Sequence, residues 1–92
     1  MASHLPQELI SNLFQFLNTD LDLATTFVQM AETERSMHDR ERAASLVTKA
    51  RKALQSVREF SAKPGLSAEQ VELLGDRCRV LEAAIERVSA NL

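Results

Sequence analysis

Apolar residues recur along most of the chain at alternating three- and four-residue steps, the spacing that lines one face of an α-helix. The pattern is clearest near the C-terminus, where Val71, Leu74, Cys78, Leu81, Ile85 and Val88 form one stripe and predict a helix over about residues 68–90. Its start is written in "PGLSAEQVELL". Pro64 and Gly65 break the preceding helix, Ser67 is placed to cap the next, and Gln70 three residues on completes a capping box. Leu66 and Val71 supply the hydrophobic staple. Gly75 lies inside the stripe at a cost of about 1 kcal/mol relative to Ala, which points to close approach by a neighbouring backbone. A second stripe, Ala43, Leu46 or Val47, Ala50, Ala53 or Leu54, Val57 and Phe60, predicts a helix over residues 39–61. Small residues in its first half imply close helix packing there.

The first segment is more ambiguous. From Pro6 to Met37 it holds no Gly and no further Pro. Two rows repeat every seven residues: Leu9, Phe16, Leu23, Met30 and Met37, and beside them Ile10, Leu17, Ala24 and Ala31. One helix over about residues 6–36 keeps both rows aligned. Against it, "NTDLD" at 18–22 reads as a cap, with Thr19 at the N-cap and Asp22 at the third helical position. A continuous helix would be about 46 Å long against about 35 Å for the other two. Its overhang would expose Leu9, Ile10, Leu13, Phe14, Phe16 and Leu17, and such a patch does not stay in water in a monomer. Either the chain breaks near residues 18–20 and folds back, or a second copy covers the overhang; the continuous helix with self-association is the reading preferred here. The turn near 35–39 and the link at 62–66 are short, so successive helices are antiparallel. The expected fold is all-α: one domain over residues 1–92, an antiparallel up-down-up three-helix bundle.

Composition agrees and narrows the function. The 92 residues include two Gly, two Pro, four Phe and neither Tyr nor Trp, which favours helices over strands. A single cysteine, Cys78, forms no internal disulfide, and no secretory pattern or membrane-length apolar run is present, so a cytoplasmic setting is expected. Net charge of −2 and the lack of aromatics among the basic residues argue against nucleic acid and anionic membrane as partners. Charge is nonetheless uneven. Residues 1–35 hold five acidic and one basic side chain, 36–63 three acidic and seven basic, and 64–92 five acidic and three basic. A basic middle helix between acidic neighbours suits interhelical ion pairing. The alternative is that Lys49, Arg51, Lys52 and Arg58 stay free to receive an acidic peptide.

Catalytic chemistry has little to work with. His4 lies near a terminus; His38 and Glu34 are only two ligands, too few for a structural zinc site. Cys78 falls on the apolar stripe, where a thiol packs as a small hydrophobe. Glu32 and Glu34, like Asp20 and Asp22, are two apart and point to different sides of a helix. No Gly-rich phosphate loop, nucleophile elbow or Cys/His cluster occurs. No catalytic, metal or cofactor residue and no small-molecule substrate is therefore assigned, and a small enzyme is the least favoured class.

The first two segments resemble a tetratricopeptide repeat. Phe27, Met30 and Ala31 match the large-Leu-small positions of its first helix, and Ala43, Val47 and Ala50 the small-large-small row of its second. Glu34 stands where that repeat has Tyr, and Gln55 where it closes on Pro. The run "RCRVLEAAIERV" after "RAASLVTKARKAL" is similar to the last helix of the microtubule-interacting and transport family, itself a three-helix bundle. These resemblances imply a scaffold that binds a helical or extended peptide in an interhelical groove, without catalysis. The expected function is a non-catalytic protein-interaction module, self-associating through Leu9, Ile10, Leu13, Phe14 and Leu17 in a coiled-coil-like contact. The alternative is an adaptor for an acidic peptide on the basic middle helix.

Overall fold

A computed structural model describes the backbone from residue 7 to 92 and side chains from Asn12 onward. Three helices, α1 (Gln7–Ser36), α2 (Arg40–Ser61) and α3 (Ala68–Ala90), account for the described chain, with no strand among these residues.

The first helix runs unbroken through the polar cluster that reads as a cap. Asn18 Nδ2 donates to the Phe14 carbonyl at 3.1 Å and Thr19 Oγ1 to the Gln15 carbonyl at 3.0 Å, each four residues back. Side chains that elsewhere compete with the helix here bond to its own ladder. The apolar stripe also crosses the joint without a gap, since Leu17, Leu21 and Ala24 are all buried. Packing along that stripe favours continuity more than one cap favours a break.

Each turn has an identifiable cause. At the end of α1 the Asp39 amide donates to the Glu34 carbonyl (2.8 Å) and the His38 amide to the Arg35 carbonyl (3.0 Å), a Schellman pair. The position that closes such a pair is left-handed, and His38 occupies it with φ 65°. Asp39 then caps α2, its carboxylate accepting from the Arg42 amide at 3.1 Å. One residue thus ends the first element and begins the second. Between α2 and α3, Gly65 takes φ 123°, which a side chain would resist. Ser67 and Gln70 form the reciprocal capping box expected from the sequence.

Cross-helix contacts fix the topology. Glu34 pairs with Arg42 (3.3 Å) and Lys49 Nζ lies 6.0 Å from the Phe27 ring centre, so α1 and α2 are antiparallel. Arg51 meets Glu86 (2.9 Å) and Arg58 meets Glu82 (2.6 Å), so α2 and α3 are antiparallel too. Arg77 reaches back to Asn18 and Asp22, which leaves α3 parallel to α1. The bundle is up-down-up.

The core is apolar throughout, with no buried polar or charged residue among those described. Leu17, Leu21, Val57, Leu74 and Ile85 are its largest fully enclosed side chains. Two expectations change. Leu17, placed by sequence on an exposed overhang, is fully buried. The reason is register: with Arg77 level with Asn18 and Asp22, the start of α3 reaches back to about residue 13. The helix therefore outruns its neighbours only over its first turns, and Leu13 and Phe14 pack half-buried against the core. At Gly75, a Cβ would meet nothing nearer than the Arg79 guanidinium at 3.7 Å, an ordinary contact. No backbone approaches it.

Candidate functional site: an exposed heptad row on the first helix

The two seven-residue rows of α1 have opposite fates. Leu17, Ala24 and Ala31 face inward and are fully buried. Phe16, Leu23 and Met30 on the helix, and Met37 in the turn just past it, each one residue earlier or six later in the chain, remain 58, 49, 40 and 70 % exposed. A helix turns 100° per residue, so the rows lie side by side, one in the core and one on its shoulder. The smaller row is the one enclosed because α2 offers small residues in return: Ala43 and Ala50 are also fully buried. Small side chains on both helices let the axes approach, and no room is left for Phe16, Leu23 or Met30 between them.

Alongside this row runs the outer groove between α1 and α2. Phe27, half-buried, and Met30 line it from α1; Ser45, Leu46 and Lys49 line it from α2, with Asp39, Glu41 and Arg42 at the end nearest the turn, around about 510 Å³. The Lys49 ammonium stands over the Phe27 ring at the outer limit of a cation–π contact. Projecting the Glu34–Arg42 and Phe27–Lys49 register along the pair brings Phe60 level with Phe16. Phe60 is 42 % exposed, its ring covered in part by the Lys63 ammonium at 4.9 Å.

The four basic residues singled out by sequence separate into two pairs. Arg51 bonds Glu86 and the Ser89 hydroxyl (3.1 Å), and Arg58 bonds Glu82; both bridge the groove between α2 and α3. They act as interhelical ties, not free cations. Lys49 and Lys52 make no ion pair among the described residues and stand exposed on the α1 side and the outer face of α2. Of the apolar set, Leu13 and Phe14 are half-buried and Leu17 is core. Leu9 and Ile10 lie outside the residues whose side chains are described. Phe16, Leu23, Met30 and Met37, none of them among the five apolar residues assigned to the contact from sequence, are the exposed apolar side chains of this flank, and the seven-residue spacing that marks them was visible in the sequence.

A second groove, about 480 Å³, opens between α1 and α3 and was not foreseen. Leu21, Val28, Leu81 and the exposed Val80 give it an apolar floor, with Glu32 and Asp76 on its rim. At one end Arg77 clamps the two helices: Nη1 donates to the Asn18 Oδ1 at 2.8 Å and its carbonyl at 3.2 Å, and Nη2 to Asp22 at 2.7 Å. Asp76 pairs within its own helix with Arg79.

Titratable chemistry is sparse. Cys78 is buried, and that burial pushes its thiol above the ordinary value of 9.0, against the lowering pull of the Arg58 guanidinium. Raised and enclosed, it is a poor nucleophile. Glu34 is bound to Arg42, and no group of three or more His, Cys, Asp or Glu among the described residues could hold a metal ion. No helix among the described residues is long and apolar enough to cross a membrane. No protein-family model, curated protein or solved structure matches the chain.

Proposed function

We propose that this protein is a non-catalytic protein-interaction module whose α1 shoulder row docks against a second copy of the chain. The observation that supports it is the row itself: Phe16, Leu23 and Met30 at seven-residue spacing on a 30-residue helix, with Met37 following in the turn just past its end, each 40–70 % exposed. Scattered surface hydrophobes need no explanation, but a repeating file of them is the signature of a helix awaiting another helix. The resemblance to tetratricopeptide and microtubule-interacting modules points the same way, and the cytoplasmic setting expected from sequence belongs to the same proposal.

Magnitudes bound the strength. Full burial of such a side chain is worth about 1.5–3 kcal/mol, so the exposed half of each contributes about 1 kcal/mol. Eight of them in a pair give about 8 kcal/mol, against an association cost of about 4–15 kcal/mol. With an association cost near the lower end of that range the balance is a weak, concentration-dependent dimer, with a stable monomer beneath it. Sedimentation velocity from micromolar to millimolar protein tests this. The expected result is a shift from monomer to dimer that Leu23→Glu and Met30→Glu abolish while far-ultraviolet circular dichroism stays unchanged. A particle that stays monomeric throughout removes the proposal.

One observation favours a second reading, an adaptor for an acidic peptide: Lys49 and Lys52 make no ion pair among the described residues, although Arg51 and Arg58 beside them are engaged. Titration with an acidic amphipathic peptide, repeated with Lys49→Glu/Lys52→Glu, separates the readings. Binding lost in the double variant supports the adaptor; binding that ignores both the substitutions and salt counts against it.

A further inference from the structure

The surroundings of the α1 row are asymmetric, and the asymmetry selects one way for two copies to meet. On one side lies α2, with Lys49 level with Phe27 near the middle of the row and Lys52 one turn further along its own helix. On the other side lie Thr19, Thr26 and Thr33, each three residues after a member of the row. Their hydroxyls donate to the carbonyls of Gln15, Asp22 and Gln29 at 3.0–3.1 Å, so this flank presents methyl groups and no unsatisfied donor. Phe16, Thr19, Leu23, Thr26, Met30 and Thr33 thus alternate along α1 in steps of three and four, the seam positions of a heptad repeat.

Two such helices can pair in either direction. An antiparallel pair is related by a two-fold axis perpendicular to the helices, which leaves both α2 helices on the same side of the seam. Lys49 of one copy then lies nearest Lys49 of the other, close to that axis, while Asp39 and Glu41, the carboxylates of its groove, sit toward the ends of the pair. A parallel pair is related by an axis along the helices, which puts the α2 helices on opposite sides. Each Lys49 then overlooks the threonine flank of the other copy, and like charges are kept apart. A strict seven-residue repeat is also what allows such rows to stay in contact along a shallow left-handed crossing. α1 is itself a helix with this repeat and this length, so a second α1 matches it layer for layer.

We infer that the chain pairs with a second copy in parallel, α1 against α1 and in register, so that Phe16, Leu23 and Met30 each meet their own counterpart. This rests on self-association as proposed above and adds the orientation. Crosslinking through one introduced cysteine reads it directly, because a disulfide forms only where two Cα atoms come within about 7 Å. Leu23→Cys and Met30→Cys are made in the full chain, which retains the enclosed Cys78, and oxidised mildly alone and mixed. Wild type and Ala83→Cys, an exposed position on α3, report random collision. Parallel pairing gives covalent dimer from each row variant alone, well above both controls. An antiparallel pair instead joins Leu23→Cys to Met30→Cys in the mixture and leaves each alone at background, which overturns the orientation while self-association stands. Background crosslinking in every tube, with a dimer still present in sedimentation, places the contact elsewhere and also overturns it. A monomer in sedimentation overturns this inference and the proposal beneath it together.

Discussion

Phe16 and Leu17 are neighbours in sequence, yet the fold sends one to solvent and the other to the core, and replacing each by alanine separates the two roles. Leu17 is fully enclosed near the end of the bundle, beside the half-buried Leu13 and Phe14. Truncating an enclosed leucine costs about 2.7–5 kcal/mol, the sum of lost transfer energy and the cavity left behind. Leu13 and Phe14 are partly free to settle into the gap, so the lower part of that range, about 3 kcal/mol, is expected for Leu17→Ala. In a domain of this size 1 kcal/mol moves the midpoint by about 4–8 °C, which makes the shift roughly 12–24 °C. Phe16→Ala should cost about 1 kcal/mol or less in the monomer, because more than half of its ring is already in water. The chain has neither Trp nor Tyr, so urea unfolding is best followed by circular dichroism, at two protein concentrations well apart. The reasoning requires the Leu17→Ala loss to be the same at both concentrations, with an unchanged slope against urea. A loss below 1 kcal/mol, or one that appears only where the dimer is populated, would place Leu17 at the contact and refute the register described here.

Three further substitutions follow from local geometry. His38 holds φ 65° at a position that favours glycine, so His38→Gly should raise stability by about 0.5–1 kcal/mol in the same urea assay, and a loss would mean that the side chain contributes more than the strain costs. Gly75 lies in mid-helix with only the end of a flexible arginine within reach of an added methyl. Gly75→Ala should therefore stabilise by about 0.5–1 kcal/mol, and destabilisation would reveal a contact absent from this packing. Cys78 makes stability depend on alkaline pH. Its thiol titrates above 9.0 when folded and near that value when unfolded, so the folded chain binds the extra proton. The corresponding stability is present below about pH 9 and is lost as pH rises through the folded value. Urea midpoints between pH 7 and 10.5 should fall more steeply for the wild type than for Cys78→Ala, and parallel slopes would contradict the buried thiol.

What the sequence made legible was whatever depends on neighbours along the chain. The 3.6-residue period located all three helices to within a residue or two, and "SAEQ" specified the capping box because its two partners lie three residues apart. The continuous first helix was preferred for the right reason, two unbroken rows, while its polar cluster gave a false stop signal that back-bonded side chains absorb. What was not legible depends on which helix lies beside which. Both seven-residue rows were apparent, but choosing the Ala24–Ala31 row as core requires knowing that α2 brings Ala43 and Ala50 against it. Leu17 looked exposed because the reach of α3 along α1 is a tertiary quantity, set by Arg77 gripping Asn18 and Asp22 more than fifty residues away. The left-handed turn was hidden as well, since it is occupied by His38 and no glycine advertises it.

The basic helix shows how far charge alone can be read. An acidic–basic–acidic order anticipates ties between neighbours, and three of the interhelical pairs follow it: Glu34–Arg42, Arg51–Glu86 and Arg58–Glu82. The direction of each side chain decides which cations are left over. Arg51 and Arg58 are seven apart and share the α3 flank of α2, whereas Lys49 lies on the α1 flank and Lys52 on the outer face. Exposed pairs of this kind contribute about 0–1 kcal/mol each, too little to hold the bundle together but enough to favour one order of helices over another. The two lysines outside that order border the same face that bears the uncovered apolar row. A surface of this make-up separates fold from association: polar substitutions at Leu23 or Met30 remove no core contact, so they should silence docking and leave the three helices intact. If those variants unfold instead, the row belongs to the core and the distinction drawn between the two faces of α1 is lost.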